Sequence, residues 1–143
     1  MTIRRLTAAD IPQLERLYRA YWNEASDIEK MRAKFVQLES NDAYALLCAE
    51  EGGRLLGSVM GIVCEELYGD CRPFLLAENM VVDASARRKG VGRALFEAIE
   101  AWGREKGCRQ VVLATESDRA DAKAFYTAIG FDPGANIGFK RKL

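Results

Sequence analysis

An amphipathic helix between two apolar strands is the feature that most constrains how this chain can fold. Phe74–Asp83 has the composition of a strand, and Gly90–Lys106 follows it with apolar residues at helical spacing. One helix face carries Val91, Leu95, Ala98, Ile99 and Trp102. Gln110–Thr115 is then continuously apolar, as expected of a strand inside a parallel or mixed sheet. This segment therefore predicts an α/β fold.

Further strands and helices are predicted on both sides of this segment. Gly52 and Gly53 separate two β-type runs and predict a hairpin, and Gly57 and Gly61 predict a bulge or a closely approached backbone. Before the hairpin, the patterns predict a strand, Thr2–Leu6, and a helix, Asp10–Trp22, with Thr7 as its cap and Asp10 as its capping acid; a second helix runs from the capping box Ser26/Glu29 to about Ser40. The two strands of the hairpin are Tyr44–Ala49 and Leu55–Val63. The chain ends with a helix that contains Ala122, Phe125, Tyr126 and Ile129, and a final strand that contains Ile137, Phe139 and Leu143. This order predicts one α/β (α+β) domain over residues 1–143.

Composition excludes several kinds of chemistry. The 143 residues contain 21 Lys plus Arg, 21 Asp plus Glu and no histidine. A chain of zero net charge lacks the basic field of a nucleic-acid binder, so no nucleic-acid partner is expected. Without histidine, the chain cannot itself supply a Ser-His-Asp or Cys-His catalytic group or a histidine ligand to zinc.

The cysteines and the lengths of the apolar runs indicate the cellular compartment in which the protein is expected. Cys48, Cys64, Cys71 and Cys108 form no Cys-x-x-Cys pair, so the spacing predicts neither a metal site nor a redox motif. They are interpreted as buried, reduced thiols. No run is apolar and long enough for a signal peptide or a membrane span, and a cytoplasmic protein without a membrane partner is expected.

The loop before the strongest helix carries the clearest chemical signal. Arg87, Arg88, Lys89 and Arg93 surround Gly90 and Gly92. A helix N-terminus offers unpaired N–H groups to phosphate, and glycine lets the backbone approach an anion closely. A solvated basic turn is the alternative interpretation. The loop lacks the Gly-Lys-Ser/Thr of a Walker motif and is not a Gly-x-Gly-x-x-Gly fingerprint.

Two motifs in this context resemble a known family. Arg87-x-x-Gly90-x-Gly92, directly after the strand Asn79–Asp83, is similar to the pyrophosphate-binding motif of the GNAT N-acetyltransferase superfamily. Ala124–Phe131 is similar to its C-terminal helix signature, and the order of elements resembles that fold. The resemblance implies a mixed, mostly antiparallel central sheet with two splayed parallel strands and helices on both faces. It also implies that the chain is an enzyme.

Acetyl-CoA is the co-substrate that this resemblance implies. It would lie between the strands Phe74–Val82 and Gln110–Thr115. Backbone groups of Met80, Val81 and Val82 would hold its pantetheine arm, and amides from Arg88 to Arg93 would hold its pyrophosphate. The implied cofactor-binding residues are Met80, Val81, Val82, Arg87, Arg88, Lys89, Gly90, Val91, Gly92, Arg93 and Arg119. The amine of the acceptor would attack the thioester directly, so none of the cysteines is needed as a nucleophile.

Tyr126 occupies the proton-donor position of the family, where a phenol would protonate the leaving thiolate. Packing of the ring on the sheet, beside Phe125 and Ile129, is the alternative. Arg119 stands where many relatives carry asparagine. It is interpreted as a contact to cofactor or substrate, or as an ion-pair partner of Asp121 or Glu116.

Glu78 is the candidate general base that accepts the amine proton. Strand alternation places it on one face with Phe74, Leu76, Met80 and Val82, where a carboxylate interrupts an apolar stripe. A bulge, common in this strand of the family, would change that face, and a salt-bridged carboxylate is the alternative role. Glu116 and Asp118 are further candidates that would act through water.

The acceptor is expected to be the primary amine of a small molecule. The neighbourhood of Arg119 resembles the branch with aminoalkylphosphonate and aminoglycoside acetyltransferases. The acceptor site is expected to use Tyr18–Asp27, Glu65–Pro73 and Pro133–Gly138, where acids stand beside aromatic rings that suit a cation. A protein N-terminus or lysine as acceptor, and a non-catalytic acyl-CoA-binding module, are the alternatives. Pairing of relatives through C-terminal strands allows a homodimer.

Overall fold

The central sheet has five strands in the spatial order β1-β2-β3-β4-β5. The computed structural model describes every residue from Met1 to Leu143. Its strands are β1 (Thr2–Arg5), β2 (Tyr44–Glu51), β3 (Arg54–Cys64), β4 (Phe74–Val82) and β5 (Val111–Val112). The first four pair antiparallel, and β5 pairs with β4 in parallel. The predicted mixed, mostly antiparallel sheet is confirmed.

Four α-helices accompany the sheet. They are α1 (Ile11–Trp22), α2 (Ile28–Glu39), α3 (Val91–Glu105) and α4 (Ala120–Ala128). Asp10 accepts a hydrogen bond from the backbone N–H of Thr7 at 2.8 Å, as the sequence predicted for a capping acid. The predicted cap of α2 is wrong by one residue, because Asp27 rather than Ser26 accepts from the N–H groups of Glu29 and Lys30. None of the helices combines the length and hydropathy that a transmembrane helix requires.

The chain packs as two compact units, Met1–Val112 and Leu113–Leu143. In the first unit, α3 covers one face of the sheet, and Leu95 and Ile99 are fully buried against Leu75 and Val59. The opposite face is covered by α1 and α2. Its core consists of Leu6, Ile11, Leu14, Leu17, Phe35, Cys48, Leu55 and Val81. The predicted placement of helices on both faces is therefore confirmed within this unit.

Glycines allow α3 to lie close to the sheet. A Cβ atom at Gly57 would stand 2.7 Å from the carbonyl oxygen of Val81, and one at Gly61 would stand 2.6 Å from the Cδ1 atom of Ile99. Gly103, on the helix itself, faces Leu75 in the same way. The closely approached backbone predicted from Gly57 and Gly61 is confirmed. This packing fixes the position of α3 on the sheet.

The second unit contains α4 and the C-terminal residues. The prediction of a final strand is wrong, because residues 132–143 are exposed and contain no strand. Ile137, Phe139 and Leu143 alternate as strand residues would, yet their side chains are almost fully exposed. Alternation alone does not make a strand, since a strand needs a hydrogen-bonded neighbour and a covered face.

Candidate active site

Parallel pairing between β4 and β5 is short. The strands are in register only at Leu75 with Val111 and at Leu76 with Val112. From Ala77 onward, β4 has no β5 partner, although it continues to Val82. Met80, Val81 and Val82, the predicted pantetheine-binding residues, lie on this stretch, where β4 pairs with β3 on one side and has no β5 partner on the other. An open strand edge offers N–H and C=O groups to an extended ligand.

A β-bulge interrupts β4 at the same place. Met60 pairs with Glu78 and Ser58 pairs with Val81, so two steps along β3 correspond to three along β4. The additional residue, Asn79, has a φ of 51°, in the left-handed region. Such a bulge reverses which face the following side chains occupy.

The bulge corrects the predicted face of Glu78. Residues paired across a ladder share a face, so Glu78 lies on the same side as Val81, which packs in the core under α1 and α2. Met80 and Val82 pack in the α3 core instead. The prediction that Glu78 shares its face with those two residues is therefore wrong. Glu78 is half-buried on the face covered by α1 and α2.

Asp83 fixes the start of the loop that connects β4 to α3. Its Oδ2 atom accepts hydrogen bonds from Nη1 of Arg16 at 2.8 Å and Nη2 of Arg54 at 2.9 Å, and its Oδ1 atom accepts from the Ser85 hydroxyl at 2.7 Å. The Arg16 guanidinium, with Ser85 and Arg54, holds the pKa of Asp83 far below its usual range. No local sequence pattern links Arg16 and Arg54 to Asp83, so neither residue was predicted.

The loop beyond Asp83 ends in an uncapped helix N-terminus. Arg87, Arg88 and Lys89 are exposed, and Arg88 has a positive φ of 60°. Gly90 precedes α3 with a φ of 82°, a conformation that glycine adopts without strain. No side chain caps this helix, and its first turn contains no acidic residue. The first helical bond runs from the N–H of Ala94 to the carbonyl of Gly90.

These features fit a group that carries phosphates. The partial positive charge of the helix end and three exposed cations favour an anion, and no carboxylate of the first turn competes for the N–H groups. A Cβ atom at Gly90 would meet nothing within 4 Å, so the space beside it is open. The predicted residues Val91, Gly92 and Arg93 form the first turn of α3, where Gly92 is half-exposed.

Aromatic side chains lie at the C-terminal end of α1. The guanidinium carbon of Arg87 stands 5.9 Å from the centroid of the Tyr21 ring. Trp22 contacts Tyr21 edge-to-face at 4.9 Å and Tyr18 at 5.0 Å. Burial raises the pKa of Tyr18 to about 12, so its phenol stays neutral over the physiological range.

Two of the acids predicted to contact the acceptor have structural partners. Asp27 caps α2, as described above. Glu66 accepts a 2.8 Å hydrogen bond from Arg109, whose guanidinium also lies over the Tyr68 ring at 5.8 Å. Glu65 is exposed. No group of three or more Cys, Asp or Glu side chains is arranged to hold a metal ion.

Tyr126 lies on α4 in the second unit. Its half-buried ring contacts Phe125 at 5.2 Å and Phe131 at 5.9 Å, both edge-to-face. Arg119 precedes α4 and donates to both carboxylate oxygens of Asp121 at 3.1 Å, one of the pairings expected from the sequence.

The acids before α4 are exposed. Glu116 accepts a 2.7 Å hydrogen bond from Lys140, which lowers the pKa of its carboxyl. Asp118 is exposed as well. Neither position is shielded from water, so each of these carboxylates is solvated.

Comparison with known proteins identifies the family. Residues 11–131 match the model of the Acetyltransferase (GNAT) family, which covers most of the chain. This chain belongs to the GNAT acetyltransferases. An aminoglycoside N(6')-acetyltransferase type 1 of Stenotrophomonas maltophilia is 28% identical over 142 residues, which cover 98% of this chain and 92% of that protein. The sequence-based assignment to the family, and with it to the acetyltransferases, is confirmed.

Solved GNAT structures share the fold. A putative acetyltransferase from Agrobacterium tumefaciens str. C58 superposes with a TM-score of 0.91 at 22% identity, over 100% of both chains. The aminoglycoside acetyltransferase AAC(6')-Iy, solved with the bisubstrate analogue CoA-S-monomethyl-acetylneamine, superposes with a TM-score of 0.83 at 24% identity. That match covers 99% of this GNAT chain and 97% of the other.

Proposed function

We propose that this GNAT protein transfers the acetyl group of acetyl-CoA directly to a primary amine of a small molecule. The observation that carries the proposal is the uncapped N-terminus of α3, with left-handed Gly90, three exposed cations and no acid in the first turn. Two findings on relatives support it. The Stenotrophomonas relative is named as an aminoglycoside acetyltransferase, and AAC(6')-Iy was solved with a CoA-derived analogue.

In this proposal, residues 1–143 work as one N-acetyltransferase domain that holds acetyl-CoA by its backbone and its basic loop. Met80, Val81 and Val82 bind the pantetheine arm along the open edge of β4. The pyrophosphate is bound by Arg87, Arg88, Lys89, Gly90, Val91, Gly92 and Arg93. Arg119, now paired with Asp121, exchanges that partner for the co-substrate. When bound, acetyl-CoA supplies an activated thioester.

Two side chains of the protein handle the protons in this proposal. An alkylamine with a pKa of about 10 is mostly protonated at pH 7 and must lose a proton before it can attack. Glu78 accepts that proton, either directly or through water, on the face of the sheet covered by α1 and α2. The phenol of Tyr126 donates a proton to the leaving thiolate. We place the reaction in the reducing cytoplasm, in keeping with four cysteines that form no disulfide.

Thiol release from acetyl-CoA tests the acceptor class. The purified protein is assayed with aminoglycosides and simple diamines, and separately with peptides that present a free N-terminus or a lysine. The proposal expects turnover with one or more small amines and little with the peptides. Turnover on peptides alone would replace it with a protein acetyltransferase, and binding of acetyl-CoA without turnover on any amine would indicate a non-catalytic module.

A further inference from the structure

Helix α1 contacts the basic loop at two points. Arg16 binds Asp83, whose side chain is only 9% exposed, at the start of the loop. One and a half turns later, the ring of Tyr21 lies against Arg87, in the middle of the loop. The first contact is a charged hydrogen bond that fixes the backbone. The second involves an exposed side chain that points from the loop onto an aromatic surface, and the family motif does not include its partner.

The aromatic surface is itself held in place. Tyr21 is half-buried and contacts Trp22 edge-to-face, and Trp22 contacts Tyr18 in the same way. Both tyrosines pack against the core that contains Val81, the residue of β4 next to the bulge. Because Tyr21 packs against this core, its ring holds a fixed position relative to β4. Arg87 therefore contacts an aromatic ring that does not move independently of the strand.

The contact with Tyr21 leaves Arg87 able to bind an anion. A guanidinium has five N–H donors, and an attraction between its charge and an aromatic ring does not require any of them to be used in a hydrogen bond. The distance of 5.9 Å lies within the range of a cation–π contact. A long side chain that is already confined loses less conformational entropy when it binds a ligand.

We propose that Tyr21 is a positioning residue that preorganises Arg87 for the pyrophosphate of acetyl-CoA. This inference rests on the proposed function, because it assumes that Arg87 binds that group. It gives α1 a role in binding the co-substrate, beyond its contribution to the core.

The test measures acetyl-CoA binding by calorimetry for Tyr21→Leu, Tyr21→Phe and Arg87→Ala. Tyr21→Leu is expected to raise the Kd about 2- to 5-fold, the range of an exposed cation–π contact, whereas Tyr21→Phe keeps the ring and the affinity. Tyr21→Met, which replaces the ring by a flexible apolar chain, serves if Tyr21→Leu does not fold. Tyr68→Leu is the matched control for the calorimetric measurement alone, because it removes an equivalent ring from Arg109 outside the loop. The amine assay leaves this variant out, since Tyr68 belongs to a segment expected to bind the acceptor.

Acetylpantetheine separates positioning from a general structural role, because this fragment lacks the pyrophosphate. In the amine assay, Tyr21→Leu is expected to raise the KM for acetyl-CoA at nearly constant kcat, and to leave kcat/KM for acetylpantetheine unchanged. An equal loss with both thioesters would overturn the inference. In the Arg87→Ala background, Tyr21→Leu is expected to have little further effect on the Kd, and full additivity would also overturn it.

The outcomes distinguish this inference from the proposed function. If Arg87→Ala weakens acetyl-CoA binding and the ring variants do not, the role of Tyr21 is disproved and the co-substrate site stands. If wild type does not bind acetyl-CoA, or if Arg87→Ala binds it as tightly as wild type does, the assignment of the loop fails and the inference fails with it.

Discussion

Helix α3, which follows the basic loop, and helix α4, which carries Tyr126, differ in how much of each is buried by packing. Six of the 15 residues of α3 are buried, and glycines on both the helix and β3 bring it close to the sheet. None of the nine residues of α4 is buried to that degree. Tyr126 is instead bordered by Phe125 and Phe131 within its own unit. Substitutions in α3 should therefore affect folding first, and substitutions in α4 should affect chemistry first.

Gly57→Val gives the largest expected effect and tests the packing of α3. A Cβ atom at Gly57 would stand 2.7 Å from a main-chain oxygen and 3.1 Å from Leu95, and the backbone cannot yield as a side-chain end does. We expect a loss of about 3 kcal/mol in the free energy of unfolding, measured with urea. Gly138→Val is the control from the second unit, where a Cβ meets nothing within 4 Å. Equal losses in both variants would contradict the comparison.

Tyr126→Phe tests the chemical role of α4. Removal of a proton donor is expected to lower kcat about 100-fold, while acetyl-CoA affinity and the thermal midpoint stay close to wild type. The ring contacts to Phe125 and Phe131 remain in the variant. Tyr44→Phe, the same change at the start of β2, controls for loss of a phenol in general. Unchanged kcat in Tyr126→Phe would remove this residue as the donor.

Unfolding at acid pH tests how much the ionised side chain of Asp10 stabilises the first unit. Two hydrogen bonds from Arg4, at 2.7 and 2.9 Å, together with bonds from Thr7, hold the pKa of Asp10 at about 2, against an ordinary value of 3.8. A lowered pKa stabilises the folded state above about pH 4, and this contribution is lost as the pH falls toward 2. The expected loss is about 2 kcal/mol.

Asp10→Asn identifies the source of that pH dependence. The variant should be less stable at pH 7 and should lose less stability than wild type between pH 4 and pH 2, as measured by urea unfolding. Asp118→Asn, which removes an exposed carboxylate without an ion-pair partner from the second unit, should retain the wild-type pH dependence. A wild-type slope in Asp10→Asn would assign the effect to another group.

Asp83→Asn gives the smallest expected effect, a change in acetyl-CoA affinity. It tests whether the contacts of Asp83 at the start of the loop position the loop for binding. The amide cannot replace the charge that Arg16 and Arg54 share, so the start of the loop loosens. We expect acetyl-CoA to bind about fivefold more weakly, or about 1 kcal/mol. Asp42→Asn removes an exposed ion pair with Lys106 and should bind as wild type does. Equal affinity in all three proteins would show that Asp83 does not position the loop.

Local patterns predicted the parts of the molecule that are determined locally. The periodicity of α3 and the hairpin glycines indicated the correct elements, because burial on one face and a tight turn each restrict a short segment. The basic loop was found for the same reason, since its cations and glycines are neighbours in sequence. The resemblance to the family then supplied Tyr126 as the candidate proton donor, which no spacing in this chain would have singled out and which remains a prediction.

Features that depend on distant partners were missed or wrong. The resemblance to the family raised a bulge in this strand, but its position at Asn79 is visible only in the register of β4 with β3, which puts Glu78 and Met80 on opposite faces. Arg16 and Asp83 are 67 residues apart, so their contact left no sequence pattern. The prediction of a final strand was wrong for a related reason. Alternation in residues 137–143 specifies which side chains would share a face, but a strand also needs a neighbouring strand to hydrogen-bond with.

Calorimetric titration with acetyl-CoA is the most direct test of a co-substrate site at the basic loop. Free CoA and ATP serve as comparison ligands, and Gly92→Trp serves as the variant that places a bulky ring at the first turn of α3. Folded wild type is expected to bind acetyl-CoA and CoA in preference to ATP, and folded Gly92→Trp is expected not to bind acetyl-CoA. Failure of folded wild type to bind, or normal binding by Gly92→Trp, would contradict the assignment of this loop to the co-substrate.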